Sequence, residues 1–300
     1  MKRPPRIMIS AGEASGDRLG AGLARAILAR RPDAEILGMG GDEMIASGVR
    51  VVQDASEIAV MGVVEVISHL STIRRAMARL ESIVESEKPD ILVPIDFPDF
   101  NLRLAARATR NGVPVVYFVS PQVWAWRAGR VDRMGKLVRR VLVVFPFETE
   151  IYERAGVPVT FVGHPVVERF GESAERASLL RSVGLDPGRE VVALLPGSRH
   201  SEIDRILGRL LDAARILRAR RPGVQFVLPR ASTLEPQALA RPLERSGLED
   251  AVVSDSELYP EILTACTVGA VTSGTASLES AVAGLPMVVV YRTHPLTYLL

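Results

Sequence analysis

The sequence predicts an α/β fold built from two tandem Rossmann-like domains. Short runs rich in valine, isoleucine and leucine alternate with amphipathic helical stretches along the 300 residues, as in parallel sheets whose two faces are both covered by helices. The pattern also starts twice in the same way. An apolar run leads into a small glycine-containing loop and then a helix, first at residues 6–17 and again at 191–199. A chain of this length is typical of about two domains.

In the first half, the apolar runs are continuous, which predicts strands buried on both faces. The stretches between them carry the spacing of amphipathic helices. The predicted strands cover residues 7–9, 36–39, 91–95, 115–119, 141–145 and 160–162, and the predicted helices cover 17–30, 70–87, 101–111, 131–138 and 148–155.

The second half repeats the alternation after a polar stretch at 163–187 that contains a short helix at 175–183. We therefore place the N-terminal domain at 1–168 and the C-terminal domain at 169–300. In the C-terminal domain, strands are predicted at 191–195, 225–228, 251–253, 268–271 and 287–290, and helices at 202–220, 236–246, 260–265 and 275–283.

Composition narrows the class of protein. Hydrophobic residues make up 47% of the chain and the net charge is only +2, which disfavours a general nucleic-acid binder. The single cysteine, Cys266, indicates a reducing compartment. Because no signal peptide and no run of 18 apolar residues is visible, we expect a cytoplasmic protein. A mean hydropathy of +0.18 leaves room for peripheral membrane contact.

The turn Gly197-Ser198-Arg199 follows the first strand of the second domain. We expect the next helix to start near Glu202, so that its first N–H groups and its dipole point into the turn. Arg199 adds a positive fork beside them. This arrangement predicts an anion site, with phosphate as the usual anion.

A second loop, Ser273-Gly274-Thr275, follows another strand of the same predicted sheet. Its small residues allow a pyrophosphate to approach the backbone, and Thr275 and Ser277 can donate hydroxyls. Glu279, one turn later, can accept both hydroxyls of a ribose. The alternative is a tightly packed, capped helix. Since the carboxyl ends of parallel strands meet at one edge, both loops are expected to face a cleft between the domains and to bind a nucleoside diphosphate.

Asp96 and Asp99 follow the predicted strand at 91–95. Asp96 falls at the end of the strand, where Phe97 and Phe100 would partly desolvate it and raise its pKa. A raised pKa suits a general base. Asp99 is expected to cap the helix that begins at Asn101.

The loop at 12–17 contains Glu13 and Ser15, and Asp17 is its predicted helix cap. An ordinary βα turn is the alternative. Both tryptophans, Trp124 and Trp126, lie in the segment 120–127, where they either stack on a sugar or acyl chain or fill a domain interface. A basic stripe follows at Arg127, Arg130, Arg133 and Lys136, which is either a solvated face or a surface for anionic lipid or phosphate.

The apolar run at 60–67 includes Met61 and Val64 and precedes a helix that carries Arg74, Arg75 and Arg79. The run is either part of the core or a patch for membrane or acyl chains. The chain's histidines lack the spacing of metal ligands, so we predict no bound metal and no cofactor.

Taken together, these segments resemble the lipid-A-disaccharide synthase family, glycosyltransferases of the GT-B fold. The resemblance is carried by residues 11–17, 59–66, 95–101, 119–126, 161–165, 194–199, 273–279 and 286–292, with the run Ser-Pro-Gln-Val-Trp-Ala-Trp-Arg at 120–127 the most specific. It implies metal-independent, inverting transfer from UDP-2,3-diacylglucosamine to the 6-hydroxyl of 2,3-diacylglucosamine 1-phosphate in lipid A (lipopolysaccharide) biosynthesis, with release of UDP.

The resemblance also implies roles for the candidate residues. Asp96 matches the proposed base. Arg199, with Gly197 and Ser198, and the loop from Ser273 to Glu279 match the UDP-binding loops. The resemblance also gives the N-terminal domain the acceptor and membrane-facing role, at the inner face of the inner membrane. The expected acceptor and acyl-chain residues are Glu13, Ser15, Met61, Val64, Trp124 and Trp126. The resemblance leaves room for a homodimer and gives no reason to expect nucleic acid.

The C-terminal end of the chain differs from that of the family, and other functions remain open. Family members continue beyond Leu300 with a segment that helps hold the donor and with helices that cross back onto the first domain. We therefore expect a C-terminally truncated chain with an incomplete second domain and low activity. The alternatives are another GT-B enzyme acting on a UDP-sugar (a transferase or epimerase) and a non-catalytic binder of UDP-sugar or lipid.

Overall fold

The computed structural model describes residues 3–58, 70–121, 129–171, 175–248 and 250–292. The chain divides into two compact units, Met1–His164 and Pro165–Leu300. Each unit is an α/β structure around one parallel sheet, which confirms the predicted Rossmann-like class.

Unit 1 contains a seven-stranded sheet with the order β3-β2-β1-β4-β5-β6-β7. The strand pairs are all parallel. Its strands are β1 (Arg6–Ala11), β2 (Glu35–Gly40), β3 (Arg50–Asp54), β4 (Ile91–Ile95), β5 (Val116–Phe118), β6 (Arg140–Val143) and β7 (Val159–Phe161). Its helices are α1 (Ala14–Arg30), α2 (Asp42–Ala46), α3 (Leu70–Glu87), α4 (Pro98–Arg110), α5 (Gly129–Leu137) and α6 (Pro146–Arg154), and Ala55–Glu57 forms a 3-10 turn.

Unit 2 contains a five-stranded sheet with the order β10-β9-β8-β11-β12, again parallel throughout. Its strands are β8 (Val191–Leu195), β9 (Gln225–Pro229), β10 (Val252–Ser254), β11 (Val268–Thr272) and β12 (Met287–Val290). Its helices are α7 (Arg176–Ser182), α8 (His200–Glu202), α9 (Gly208–Arg220), α10 (Pro236–Glu244), α11 (Tyr259–Ala265) and α12 (Thr275–Val282). A π-helical turn, Ile203–Leu207, joins α8 to α9, and Pro165–Arg169 and Ser256–Leu258 form 3-10 turns.

Both faces of each sheet are packed with apolar side chains, as the continuous valine and isoleucine runs predict. In unit 1, Leu80 and Tyr117 belong to one layer of the core and Ile9 to the other. In unit 2, Phe226 and Leu195 lie in the two corresponding layers. Burial on both faces leaves the loops at the strand ends as the places for polar chemistry.

In both sheets the order in which the chain adds strands reverses between two neighbouring strands. In unit 1 the chain runs outward from β1 through β2 and β3, and then returns to the other side of β1 as β4. In unit 2 the same reversal lies between β8 and β11. Ligands of open parallel sheets bind beyond the carboxyl ends of the strands at such a reversal, so the loops after β1, β4, β8 and β11 are the places to look for a site.

Candidate functional site

Asp96 lies at the reversal point of unit 1. It directly follows β4, whose last residue, Ile95, is paired in register with Ala11 at the end of β1. The loop after β1 carries Gly12 and Glu13, so the structure brings Glu13 close enough to Asp96 for its charge to act on the Asp96 carboxyl. The structure also places Ser15 in the first turn of α1, where it is exposed.

The carboxyl group of Asp96 has a pKa raised to about 6. Burial by the surrounding protein is the main cause, and the negative charge of Glu13 adds to it, while a hydrogen bond from the Phe97 backbone opposes it. Water still reaches the side chain, which is exposed at the protein surface. The carboxyl group is therefore only partly desolvated, and this desolvation favours its neutral form.

The ring of Phe97 lies against the loop after β1 and not only beside Asp96. A Cβ atom at Gly12 would be 2.2 Å from Cδ1 of Phe97, closer than carbon atoms can approach. The ring centroids of Phe97 and Phe100 are 5.8 Å apart. Gly12 is thus required by the close approach of Phe97, which ties the loop of Glu13 to the turn of Asp96.

Two predicted helix caps are wrong. Helix α4 begins at Pro98, with Phe97 at the N-cap, so Asp99 lies inside the first turn and does not cap a helix that starts at Asn101. Helix α1 begins at Ala14, so Asp17 is inside it. The buried carboxylate of Asp17 instead accepts hydrogen bonds from the N–H groups at the start of α2: Gly41 at 2.6 Å, Glu43 at 3.1 Å and Met44 at 3.2 Å.

The Gly197–Arg199 turn follows β8, but its amides are used differently from the prediction. The helical segment begins at His200, two residues before the predicted start at about Glu202. Oε2 of Glu202 accepts the N–H groups of Ser198 at 2.8 Å and Arg199 at 3.3 Å, and its Oε1 accepts from Nη1 of Arg199 at 3.2 Å. A carboxylate of the chain itself thus occupies the place that the sequence reserves for an anionic ligand, and the Arg199 side chain remains 41% exposed.

The second loop of unit 2 follows β11, the neighbour of β8 in the sheet. Ser273, Gly274 and Thr275 are exposed at the start of α12. Gly274 is the N-cap, with a φ of +153° and no side chain to cap the first amides. The hydroxyl of Ser277 donates to the Gly274 carbonyl at 2.7 Å, within the first turn of α12. The N-terminus of α12 nevertheless presents the positive end of the helix dipole to the edge of the sheet.

Glu279 lies one turn into α12 and is buried, with 5% of its surface exposed. Its Oε1 accepts a short hydrogen bond from Nη1 of Arg169, at the end of the 3-10 turn that opens unit 2. The guanidinium of Arg169 also lies 5.9 Å from the ring centroid of Tyr259. A buried carboxylate needs such a partner.

Four predicted acceptor residues, Met61, Val64, Trp124 and Trp126, lie outside the described residues. Within the described ranges, no group of three or more metal-ligating side chains comes together. No helix in the same ranges is long and apolar enough to cross a bilayer.

Three residues that the sequence does not single out support the candidate site through contacts with its members. Asn101 and Tyr117 hold the Asp96 backbone, and Arg169 pairs with Glu279. Asn101 could have been found from the sequence, since it is a polar residue among the apolar positions of α4, and it is fully buried. No local pattern identifies Arg169, because its partner is 110 residues away in the sequence.

The chain matches the family model described as lipid-A-disaccharide synthetase over residues 7–300. The chain belongs to the lipid-A-disaccharide synthase family. It is 50% identical over 293 residues to the lipid-A-disaccharide synthase of Geobacter sulfurreducens, covering 98% of this chain and 76% of that one. It is 43% identical over 298 residues to that of Myxococcus xanthus, covering 99% and 77%.

Solved structures with low sequence identity share the fold. The UDP-GlcNAc 2-epimerase of Neisseria meningitidis bound to UDP-GlcNAc aligns with a TM-score of 0.64 and 13% identity, covering 96% of this chain and 83% of that one. Anabaena Alr3699/HepE in complex with UDP and glucose aligns with a TM-score of 0.55 and 17% identity, covering 99% and 83%. The chain therefore has a GT-B fold. Members of the lipid-A-disaccharide synthase family are UDP-sugar glycosyltransferases of lipid A biosynthesis.

Proposed function

We propose that this chain transfers 2,3-diacylglucosamine from UDP to the 6-hydroxyl of 2,3-diacylglucosamine 1-phosphate, which gives lipid A disaccharide 1-phosphate and UDP. The observation that carries the proposal is Asp96, a carboxylate with a raised pKa at the reversal point of the first sheet, in a chain of this family.

Asp96 is the proposed general base. As the acceptor oxygen forms its bond to the anomeric carbon, the bond from that carbon to UDP breaks and UDP leaves with the electron pair. The hydroxyl proton passes to the Asp96 carboxylate. A pKa of about 6 makes Asp96 a stronger base than an ordinary aspartate while leaving it mostly ionised at neutral pH.

Unit 2 is the proposed donor-binding domain. Arg199 and the N-terminus of α12 at Gly274 and Thr275 would stabilise the negative charge that develops on the leaving diphosphate. Gly197, Ser198 and Ser273 would line the same loops. In this arrangement Glu202 keeps the turn amides and fixes the loop through its bond to Arg199, and the diphosphate binds the exposed guanidinium of Arg199 instead of those amides.

Glu279 is the proposed ribose ligand. Arg169 pairs with its carboxylate. The ribose hydroxyls would donate to the carboxylate beside this ion pair. Glu279 and Arg199 then fix opposite parts of the nucleotide, the ribose and the diphosphate.

Unit 1 is the proposed acceptor-binding domain, in which Glu13, Ser15, Met61, Val64, Trp124 and Trp126 contact the acceptor sugar or its acyl chains. The proposal extends to peripheral attachment at the inner face of the cytoplasmic membrane. Exposed arginines on α3, Arg74 and Arg75, support it, because they lie on the helix that follows the largely apolar run 60–67 and basic residues near a membrane surface attract anionic lipid. Co-sedimentation with anionic vesicles would support this attachment if added salt abolishes it. Sedimentation equilibrium would show whether the chain forms a homodimer.

The test is UDP release by the purified chain with both substrates, with either one alone, and with Asp96→Asn. The full-length Geobacter sulfurreducens relative is the positive control. We expect release that needs both substrates and that the substitution reduces at least a hundredfold. Release with the donor alone would favour an epimerase or hydrolase. No release from the chain beside an active control, with UDP still bound, would favour a non-catalytic binder.

A further inference from the structure

The turn that carries Asp96 has a strained backbone. Asp96 has a φ of +44° and Phe97 a φ of +49°, a left-handed conformation that residues other than glycine rarely adopt. Two such residues in succession cost free energy, and they persist only where their surroundings enforce them. Such backbone strain is typical of functional sites, so the contacts that enforce it at the end of β4 are of interest.

Asn101 supplies the first restraint. The two hydrogens of its Nδ2 are shared among three carbonyl oxygens, those of Ser10 at 3.1 Å, Ile95 at 3.1 Å and Asp96 at 2.8 Å. Its Oδ1 accepts the hydroxyl of Ser10 at 2.7 Å, which fixes the orientation of the amide. Asn101 is fully buried. One side chain therefore links the carboxyl ends of β1 and β4 to the strained turn.

Tyr117 supplies the second restraint from the neighbouring strand β5. Its hydroxyl donates to the Asp96 carbonyl at 2.7 Å, and the Asp96 N–H donates to the Phe118 carbonyl at 3.1 Å. These bonds grip the peptide groups of Asp96 rather than its carboxylate. They fix the backbone from which the side chain projects and do not use the carboxylate oxygens.

We propose that Asn101 and Tyr117 are positioning residues that hold Asp96 in its left-handed turn, so that its carboxylate stays beside Glu13 in the partly desolvated position. The inference rests on the proposed role of Asp96 as the base. Neither side chain touches the reacting atoms. A purely structural role predicts a loss of stability alone, whereas positioning predicts a change in the titration of Asp96 and in turnover.

The decisive variant is Tyr117→Phe, which removes one hydroxyl from the restraint. Its matched control is Tyr152→Phe, because Tyr152 is equally buried in unit 1 and its hydroxyl donates to Sδ of Met134 at 3.4 Å, not to Asp96. Ser10→Ala removes the bond that orients Asn101 and is a second, milder variant. Thermal unfolding first establishes that each variant folds.

The readouts are the 13C titration of the Asp96 carboxyl in the 300-residue chain, identified by its loss in Asp96→Asn, together with kcat and the KM of the UDP-sugar. We expect Tyr117→Phe to lower kcat about tenfold, to change KM less than twofold, and to move the Asp96 titration toward that of an ordinary aspartate. Ser10→Ala should give a smaller change of the same sign, and Tyr152→Phe none.

Identical titrations in Tyr117→Phe and Tyr152→Phe would overturn the inference, whatever the turnover. Full turnover by Asp96→Asn would instead overturn the proposed base, while the titrations would still decide whether Tyr117 positions Asp96. The two failures are thus distinguishable.

Discussion

Replacing Asp96 by asparagine should stabilise unit 1 at neutral pH while it removes activity. The pKa of Asp96 is about 6 in the folded chain and about 3.9 for an unperturbed aspartate. Since the folded-state pKa is raised, the folded chain is penalised as pH rises through 6, when the group ionises, and the penalty is absent below about pH 4. Asparagine never ionises, so it escapes the penalty.

The size of the effect follows from the same values. About 1.4 kcal/mol for each pKa unit gives an upper limit of about 3 kcal/mol. Because water reaches Asp96, screening reduces the expected gain to about 1 kcal/mol. Asparagine also tolerates the left-handed backbone, but that gain is the same at every pH, so the difference between pH 8 and pH 4 isolates the ionisation.

The assay is urea unfolding at pH 4 and pH 8, followed by tryptophan fluorescence. Both tryptophans of the chain, Trp124 and Trp126, fall within unit 1. Asp99→Asn is the matched control, because Asp99 is exposed in the first turn of α4, where loss of its charge should destabilise by about 0.5 kcal/mol at pH 8. A gain for Asp96→Asn that is equal at both pH values, or a loss at pH 8, would refute the reasoning.

Contacts of Gly12, Glu279 and Glu202 lead to three more expected outcomes. Gly12→Ala would drive a Cβ into Phe97 and should lower turnover at least tenfold. The control Gly22→Ala, whose Cβ would meet nothing within 4 Å, should leave turnover unchanged, and equal effects of the two variants in a kinetic assay would contradict the contact. Arg169→Met removes the guanidinium from buried Glu279 and should destabilise unit 2 by about 3 kcal/mol. In calorimetry it should weaken the binding of UDP more than that of 2′-deoxy-UDP, and an unchanged preference would argue against the ribose role. Glu202→Ala removes the acceptor of the Ser198 and Arg199 amides and should cost about 1 kcal/mol of stability and several-fold in UDP affinity, while tighter UDP binding would show that Glu202 competes with the ligand.

The strong elements could be read from the sequence because their signals are local. The bounds of α3, β8 and β12 agree with the prediction, since a long amphipathic repeat and continuous apolar runs leave few alternatives. Strand β3 and helix α2 were missed. The strand carries only Val51 and Val52 as apolar residues, and it lies at the sheet edge, where burial is incomplete.

The positions of the candidate site residues could be predicted, but their partners could not. Asp96 and the loops at Gly197 and Gly274 follow strands that were recognisable, and the sheet order then places them at the reversal points. The pairings of Asp17 with α2 and of Glu279 with Arg169 join residues 24 or more positions apart. Local capping rules assigned Asp17 and Asp99 to their own helices because they contain no information on such distant contacts.

The pH dependence of kcat/KM for disaccharide formation tests the role of Asp96 most directly, because this parameter reports the groups of the free enzyme. We predict an acidic limb with an apparent pKa near 6, lost together with turnover in Asp96→Asn and unchanged in Asp99→Asn. Turnover that stays constant from pH 5 to pH 8 (a range that spans the titration of Asp96), or an acidic limb that persists in Asp96→Asn, would contradict it.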